Sequence, residues 1–268
     1  MILEFILFLC IGAAAGLLAG MFGIGGGALI VPALIFTLNH FTVNSVWTNH
    51  IAIATSLATI IGTSLSSSWM HNKNHNIEWS ILKRMVLGCI IGTIGGSYIT
   101  PLIPGVWLKW IFVIFMIYVG SQFVFKTRQV AHNHATEVVK LNTSIYIAMG
   151  GVIGLFAALV GVGGGVLVVP FLKKCGIGMR KAIGTSAAFT LPVAIGGTIG
   201  YIISGWYVMP LPKYCVGFVY IPAVLAIMLA SIPMAKMGVL IAQRISVDKL
   251  IRLFGVFLLL LALKLIIS

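Results

Sequence analysis

The sequence predicts an all-α, polytopic membrane protein, and three observations carry that prediction. Hydrophobic residues fill 60% of the 268 positions and charged residues only 8%, too few to cover a soluble domain of this length. Apolar stretches of roughly membrane-spanning length recur along the chain, at about 2–38, 45–69, 79–101, 106–126, 143–172, 182–204, 213–236 and 249–267. The two-residue alternation of a membrane β-barrel is missing. The net charge of +13 fits lysines and arginines gathered on cytoplasmic loops. No basic stripe with interleaved aromatics occurs, so nucleic acid is not an expected partner, whereas the lipid bilayer is.

Taken in order, the first stretch opens "MILEFILFLCIGAAAGLLAG", which superficially resembles a signal peptide. It lacks a basic leader and carries Glu4, so it reads as a structural helix. It continues into "GMFGIGGGALIVP" (20–32), where Gly23, Gly25, Gly26 and Gly27 put four glycines in five residues. Each glycine inside a helix costs about 1 kcal/mol relative to alanine, so such a run needs a reason. It permits tight turns and positive φ, and it leaves the amides uncovered. Pro32 follows five residues after the last glycine and is expected to break the helical ladder and bend the arm. The second stretch carries Thr55-Ser56. In the third, "GCIIGTIGG" (88–96) reads as small residues for close helix packing. The fourth is plain, and a polar segment, 126–142, follows it.

The fifth stretch repeats the motif as "ALVGVGGGVLVVP" (158–170), with Gly161, Gly163, Gly164, Gly165 and Pro170. The sixth carries Thr185-Ser186, and mid-segment Pro192, expected to kink it, aligns with Gly62. Residues 16–34 align with 154–172 at an offset of 138, "ATSLA" (54–58) with "GTSAA" (184–188) at 130, and "VWLKWIFVIF" (106–115) with "DKLIRLFGVF" (248–257) at 142. Three landmarks in one order imply a duplication, with halves 1–126 and 143–268 joined by a basic cytoplasmic linker, 127–142.

Charge distinguishes two topologies. If all eight stretches cross, lysine and arginine divide 8 to 9 between the faces, which is no bias. If the first and fifth enter, turn at their glycines and leave on the same side, 14 of the 17 basic residues share one face. The positive-inside rule favours the second arrangement and makes the basic face cytoplasmic. Each half then has one Gly-broken first helix and three crossings, and an odd number of crossings inverts the second half.

The acids Glu4, Glu78, Glu137 and Asp248 all sit at segment ends or in loops, which argues against a carboxylate-lined cation path. Helix N-termini at the glycine breaks, with open amides and the positive end of the dipole, suit an anion. The candidate substrate-binding residues are therefore Gly23, Gly25, Gly26, Gly27, Gly161, Gly163, Gly164 and Gly165, with Thr55, Ser56, Thr185 and Ser186 as added donors. Most other membrane hydroxyls are expected to bond back to their own helices. His71, His75, His132 and His134 read as solvated loop residues, and His50 as an interfacial residue or a pH sensor. The four cysteines are scattered, and no metal or cofactor site is expected. The glycine runs lack the lysine of a P-loop, and no nucleophile–base pair lies at membrane depth, so an intramembrane enzyme is the weaker reading. A passive anion channel is a further alternative.

At "GLLAGMFGIGGGALIVPAL", "GLFAALVGVGGGVLVVPFL" and "GTSAAFTLPVAIGGTIGY" the chain resembles the TauE/SafE family, the sulfite exporter and toluene-sulfonate uptake permeases. The resemblance covers essentially the whole chain, with the first half departing more, at "ATSLATIIG" and a longer loop near 38–49. It implies a non-enzymatic secondary transporter of small sulfur-containing anions such as sulfite, sulfonates or sulfoacetate, in a bacterial plasma membrane. The residues leave open the particular anion, the direction, a coupling proton or sodium ion, and the oligomeric state.

Overall fold

A computed structural model of the chain describes residues 2–42, 46–125, 141–208, 211–244 and 247–267. The apolar stretches become helices. The first half contains α1 (Ile2–Phe22), α2 (Gly27–Thr37), α3 (Thr48–Lys73), α4 (Trp79–Ile99) and α5 (Gly105–Phe125). The second contains α6 (Thr143–Val160), α7 (Gly165–Lys174), α8 (Met179–Gly205), α9 (Ile221–Arg244) and α10 (Val247–Ile267). Among the described residues, α1, α3, α4, α5, α6, α8 and α9 are long and apolar enough to cross a membrane, so the chain is an integral membrane protein. Most of the linker 127–142, including His132, His134 and Glu137, lies outside the described residues.

The surface agrees with that placement. The outward faces of the helices carry leucine, isoleucine and valine, among them Leu65, Ile91, Ile114, Leu225 and Leu260. Trp69 and Trp79 are exposed near one end of the bundle, and Trp107, Trp110, Trp206 and Tyr207 near the other. Such aromatic girdles sit where headgroups meet hydrocarbon.

Both glycine runs interrupt their helices, and each short helix then doubles back. Gly26 lies against the Ala15 carbonyl, and Leu29 and Phe36 of α2 line a cavity of about 550 Å3 together with Leu7 and Ile11 of α1 and Phe257 of α10. In the second half, Phe171 of α7 meets Tyr146 of α6 edge-on with ring centroids 6.1 Å apart. The hairpin arms are unequal. α1 has 21 residues, about 31 Å, while α2 has 11, about 16 Å.

Three sequence expectations change. The prolines do not break their helices: Pro32, Pro170 and Pro192 all lie inside continuous helices, so the breaks belong to the glycines alone. A proline removes one ladder donor, a loss that neighbouring helices at membrane depth compensate. α3 runs to Lys73, past the expected end at 69, and so takes in His71, which is buried rather than solvated. The seventh stretch does not begin as helix: Cys215–Val216 and Val219–Tyr220 form a small antiparallel hairpin before α9. Valine and tyrosine flanking a Gly-Phe turn favour strand there.

The packing interlocks the two sequence halves. α1 lies along α9, and α6 lies along α4; α3 crosses α8; α3 also packs on α9 and α8 on α4; α5 pairs with α10. Each contact has its counterpart under the offsets seen in the sequence. Gly12, Gly16 and Gly20 bring the α1 backbone onto that of α9 at Ile227, Ser231 and Ala235. Gly150 and Gly154 do the same for α6 against α4 at Met85 and Cys89, and Gly88 and Gly92 meet α6 from the other side. The "GCIIGTIGG" segment is packing, as expected, because without hydrophobic drive in lipid close van der Waals approach is what joins helices.

Candidate functional site

The two glycine breaks meet each other inside the bundle. In the first tip Gly26 precedes α2 with φ +82°, and in the second Gly164 precedes α7 with φ +71°, left-handed conformations that a larger residue adopts only under strain. The adjacent glycines serve a different purpose. A Cβ on Gly27 would strike the carbonyl of Gly161, and one on Gly165 would strike the carbonyl of Gly23. Four of the predicted glycines thus place the tips against one another, backbone to backbone. All eight predicted glycines are buried.

The aligned Thr-Ser pairs clasp this junction. Ser56 Oγ on α3 donates to the Gly161 carbonyl at 2.8 Å, and Ser186 Oγ on α8 donates to the Gly23 carbonyl at 3.0 Å. Each serine therefore reaches from its own half to the tip of the other. Thr55 Oγ1 accepts from the Tyr220 amide at 3.0 Å, and Thr185 Oγ1 accepts from the Glu78 amide at 2.8 Å. The four bonds form two matched pairs. Ser56 sits eight residues into α3, about 12 Å along it, and Ser186 seven residues into α8, so the tips meet near mid-depth.

Where the tip amides go decides the chemistry. Gly23 N–H closes α1 on Ala19, and Leu29 and Ile30 N–H both donate to Gly26. In the second tip Gly161 and Val162 N–H donate to Ala157, and Gly164 N–H to Val162. The amides of Ile24, Gly25 and Gly26, and of Gly163, Gly165 and Val166, find no acceptor among the described residues. A buried amide without a partner costs about 1–3 kcal/mol, and such groups are rare unless water or a ligand completes them. Gathered in one place, such amides form an array of donors with two positive helix ends beside them.

Three residues at the junction were not predicted as site residues. Thr63 Oγ1 donates to the Gly25 carbonyl at 3.1 Å, besides its own Ile60 carbonyl. The Thr190 methyl lies against both Gly25 and Gly163, and Ile60, its counterpart at an offset of 130, lies against Gly25 and Gly27. Thr63 and Thr190 read as ordinary back-bonding hydroxyls in the sequence. Only their spacing from the Thr-Ser pairs, one or two turns on along the same face, marks them.

His50 does not lie in the junction. It is buried near the other end of α3, with Nε2 3.2 Å from the carbonyls of Thr100 and Ile103 and its ring between Trp47 and Phe218. Among the described residues no group of histidine, cysteine, aspartate and glutamate is arranged to hold a metal ion.

The sequence model of the "Sulfite exporter TauE/SafE" family matches residues 8–265. A Haemophilus influenzae chain named "Probable membrane transporter protein" is 34% identical, with 97% of each chain covered. A Methanocaldococcus jannaschii protein of the same description is 28% identical over 91% of this chain and 90% of its own. The Bacillus subtilis protein YunE, also a "Probable membrane transporter protein", is 28% identical over 76% of this chain and 80% of its own. No solved structure matches the chain.

Proposed function

Because the chain belongs to the sulfite exporter TauE/SafE family of membrane transporters, we propose that it is a secondary transporter of a small sulfur-containing anion, held where the two glycine tips meet. The observation that carries this reading is the set of buried, unpartnered amides at that junction, among them those of Ile24, Gly25, Gly26, Gly163, Gly165 and Val166. An oxyanion with acceptors on several sides satisfies amides arriving from two opposed tips; a cation does not. Glu78 meets the clasp through its amide on Thr185 and its carboxylate is paired with Lys181, while the two helix ends add positive potential. A sulfonate, sulfite or sulfoacetate fits this chemistry, and the family name carries the choice of sulfur.

In this reading the halves 1–126 and 143–268 are inverted repeats, and the matched Ser56–Gly161 and Ser186–Gly23 bonds are the hinge contacts between them. Rocking of one repeat against the other opens the junction to either side in turn. The basic face is cytoplasmic, and the chain is not an enzyme: the residues assigned to the site are glycines, threonines and serines, with no general base among them.

The test is uptake into proteoliposomes across a panel of sulfite, thiosulfate, sulfonates and simple carboxylates. Saturable accumulation of a sulfur oxyanion against its gradient is expected. Unsaturable downhill leak of all anions alike would make the protein a channel instead.

A further inference from the structure

One face of α3 continues the junction's chemistry toward the end of the bundle that holds the α3–α4 turn. Ser56, Thr59, Thr63, Ser67, His71 and Asn74 follow one another at three- and four-residue spacing, so they share a single stripe of the helix. The first three are satisfied: Ser56 by Gly161, Thr59 by its own helix and Thr63 by Gly25. The last three are not. Ser67 Oγ, both ring nitrogens of His71 and the Asn74 amide nitrogen are buried with no hydrogen-bond partner. Ser67 is 1% exposed and His71 5%. The Gly20 carbonyl of α1 faces the imidazole without reaching hydrogen-bond geometry.

The matching face of α8 is different. Ser186 is followed there by Phe189, Val193, Gly197 and Tyr201, and the Tyr201 hydroxyl donates to the Ala158 carbonyl at 2.9 Å. Ala158 is the counterpart of Gly20 at an offset of 138, and Tyr201 that of His71 at 130. One half closes this position with a satisfied, neutral hydroxyl; the other leaves an open, titratable ring on a polar track. A buried track with unmet donors and acceptors at membrane depth marks a route for polar species.

Resting on the transport reading above, we propose that Ser67, His71 and Asn74 form a second anion station on the α3–α4 side of the junction, occupied when His71 takes up a proton. The imidazole lone pair accepts one proton, the resulting imidazolium offers N–H donors and one positive charge, and a monoanion is neutralised in place. No redox change is involved. Histidine is the side chain suited to this because burial disfavours the charged ring until an anion neutralises it, so proton and anion enter together.

The charged groups that the neighbouring elements bring to this end of α3 are held elsewhere. α9 brings Lys236, whose ammonium sits 5.4 Å from the Trp69 ring centre, and α3 itself brings Lys73 to the same ring at 5.9 Å. α8 brings Lys181, which is paired with Glu78 of the α3–α4 turn at 3.1 Å. α1 brings the Gly20 main chain.

The experiment is binding of a sulfonate, whose own charge does not change over this range, to the purified full chain between about pH 5 and 8. Wild-type affinity should fall about tenfold per pH unit on the alkaline side, one proton entering per anion bound. His71→Gln should bind weakly and with a flat profile, while His50→Gln keeps the wild-type slope. Calorimetry of the wild-type chain in buffers of different ionisation enthalpy counts the proton directly, without relying on a variant. Zero protons taken up, an unchanged slope in His71→Gln, or a slope lost in His50→Gln would overturn the station. If the wild-type chain binds and transports no anion at all, the transport reading falls with it; if it transports anions with no proton uptake, only the station does.

Discussion

At the scale of single residues, the junction depends on glycines that do two different things: Gly27 and Gly165 make room for the opposite tip's carbonyl, and others hold left-handed backbone. Gly26 and Gly164 hold left-handed backbone, so Gly26→Leu and Gly164→Leu should each lower transport by at least tenfold while membrane insertion and expression persist. Side-by-side uptake and membrane-fraction blots check this, and full transport by both variants would remove the tips from the site. Ser56→Ala and Ser186→Ala each delete one cross-half hydrogen bond and leave a buried carbonyl without it. Each should cost about 1–2 kcal/mol in detergent unfolding, with the double variant departing from additivity because the two clasps hold one junction. These residues were legible in the sequence because two aligned motifs carry them in the same register. Their geometry was not. An aligned Thr-Ser pair announces a shared role, but the sequence cannot say that the serine proton goes to the opposite tip and that the threonine oxygen receives an amide from a distant turn. Thr63 and Thr190 escaped notice for the same reason: a back-bonding threonine and one that also touches a second backbone look alike in a string of letters.

At the scale of elements, the short turns hold the long helices by contacts that mirror one another. The α3–α4 turn is tied to α8 through Glu78, whose amide meets Thr185 and whose carboxylate meets Lys181; the start of α9 is tied to α3 through Tyr220 and Thr55. The hydrogen bond from Lys181 holds the Glu78 carboxyl below the usual carboxylate range. A lowered acid stabilises the fold above its unfolded pKa and loses that contribution as pH falls through the folded value. The pair is partly exposed, so its worth is below about 1 kcal/mol. Glu78→Gln should therefore melt slightly lower than the wild type near neutrality, and the gap should close once acid protonates Glu78; thermal melts across pH read both. Most elements were legible because hydropathy and length alone define a spanning helix. The exceptions are instructive. Apolar composition could not separate the strand pair at 215–220 from the helix that follows, since valine and tyrosine suit either in a hydrophobic context. Proline was overweighted: at membrane depth a helix supported on its flanks runs through Pro32, Pro170 and Pro192.

At the scale of the whole molecule, loop charge alone proposes an inverted second half, because hydropathy is blind to which side a helix begins on. The interlocking was not readable at all. That α1 lies on α9 and α6 on α4 is a pairing of segments some 200 and 60 residues apart, and each glycine face that permits it looks like any other small-residue face. The topology predicts accessibility directly. In a chain with its four native cysteines replaced, Asn39→Cys and Tyr207→Cys should react with an impermeant thiol reagent from one side of the membrane, and His75→Cys and Gly178→Cys from the other. Labelling of the Asn39 and Tyr207 positions from opposite sides would contradict the hairpin arrangement. The central claim, that paired backbone amides at the glycine tips hold the transported anion, has a more direct test in equilibrium binding. Titration of a radiolabelled sulfonate or sulfite onto the purified protein, compared between wild type and a correctly folded Gly164→Leu variant, should show one saturable site in the first and at least a tenfold loss in the second. Equal affinity in both would contradict the account.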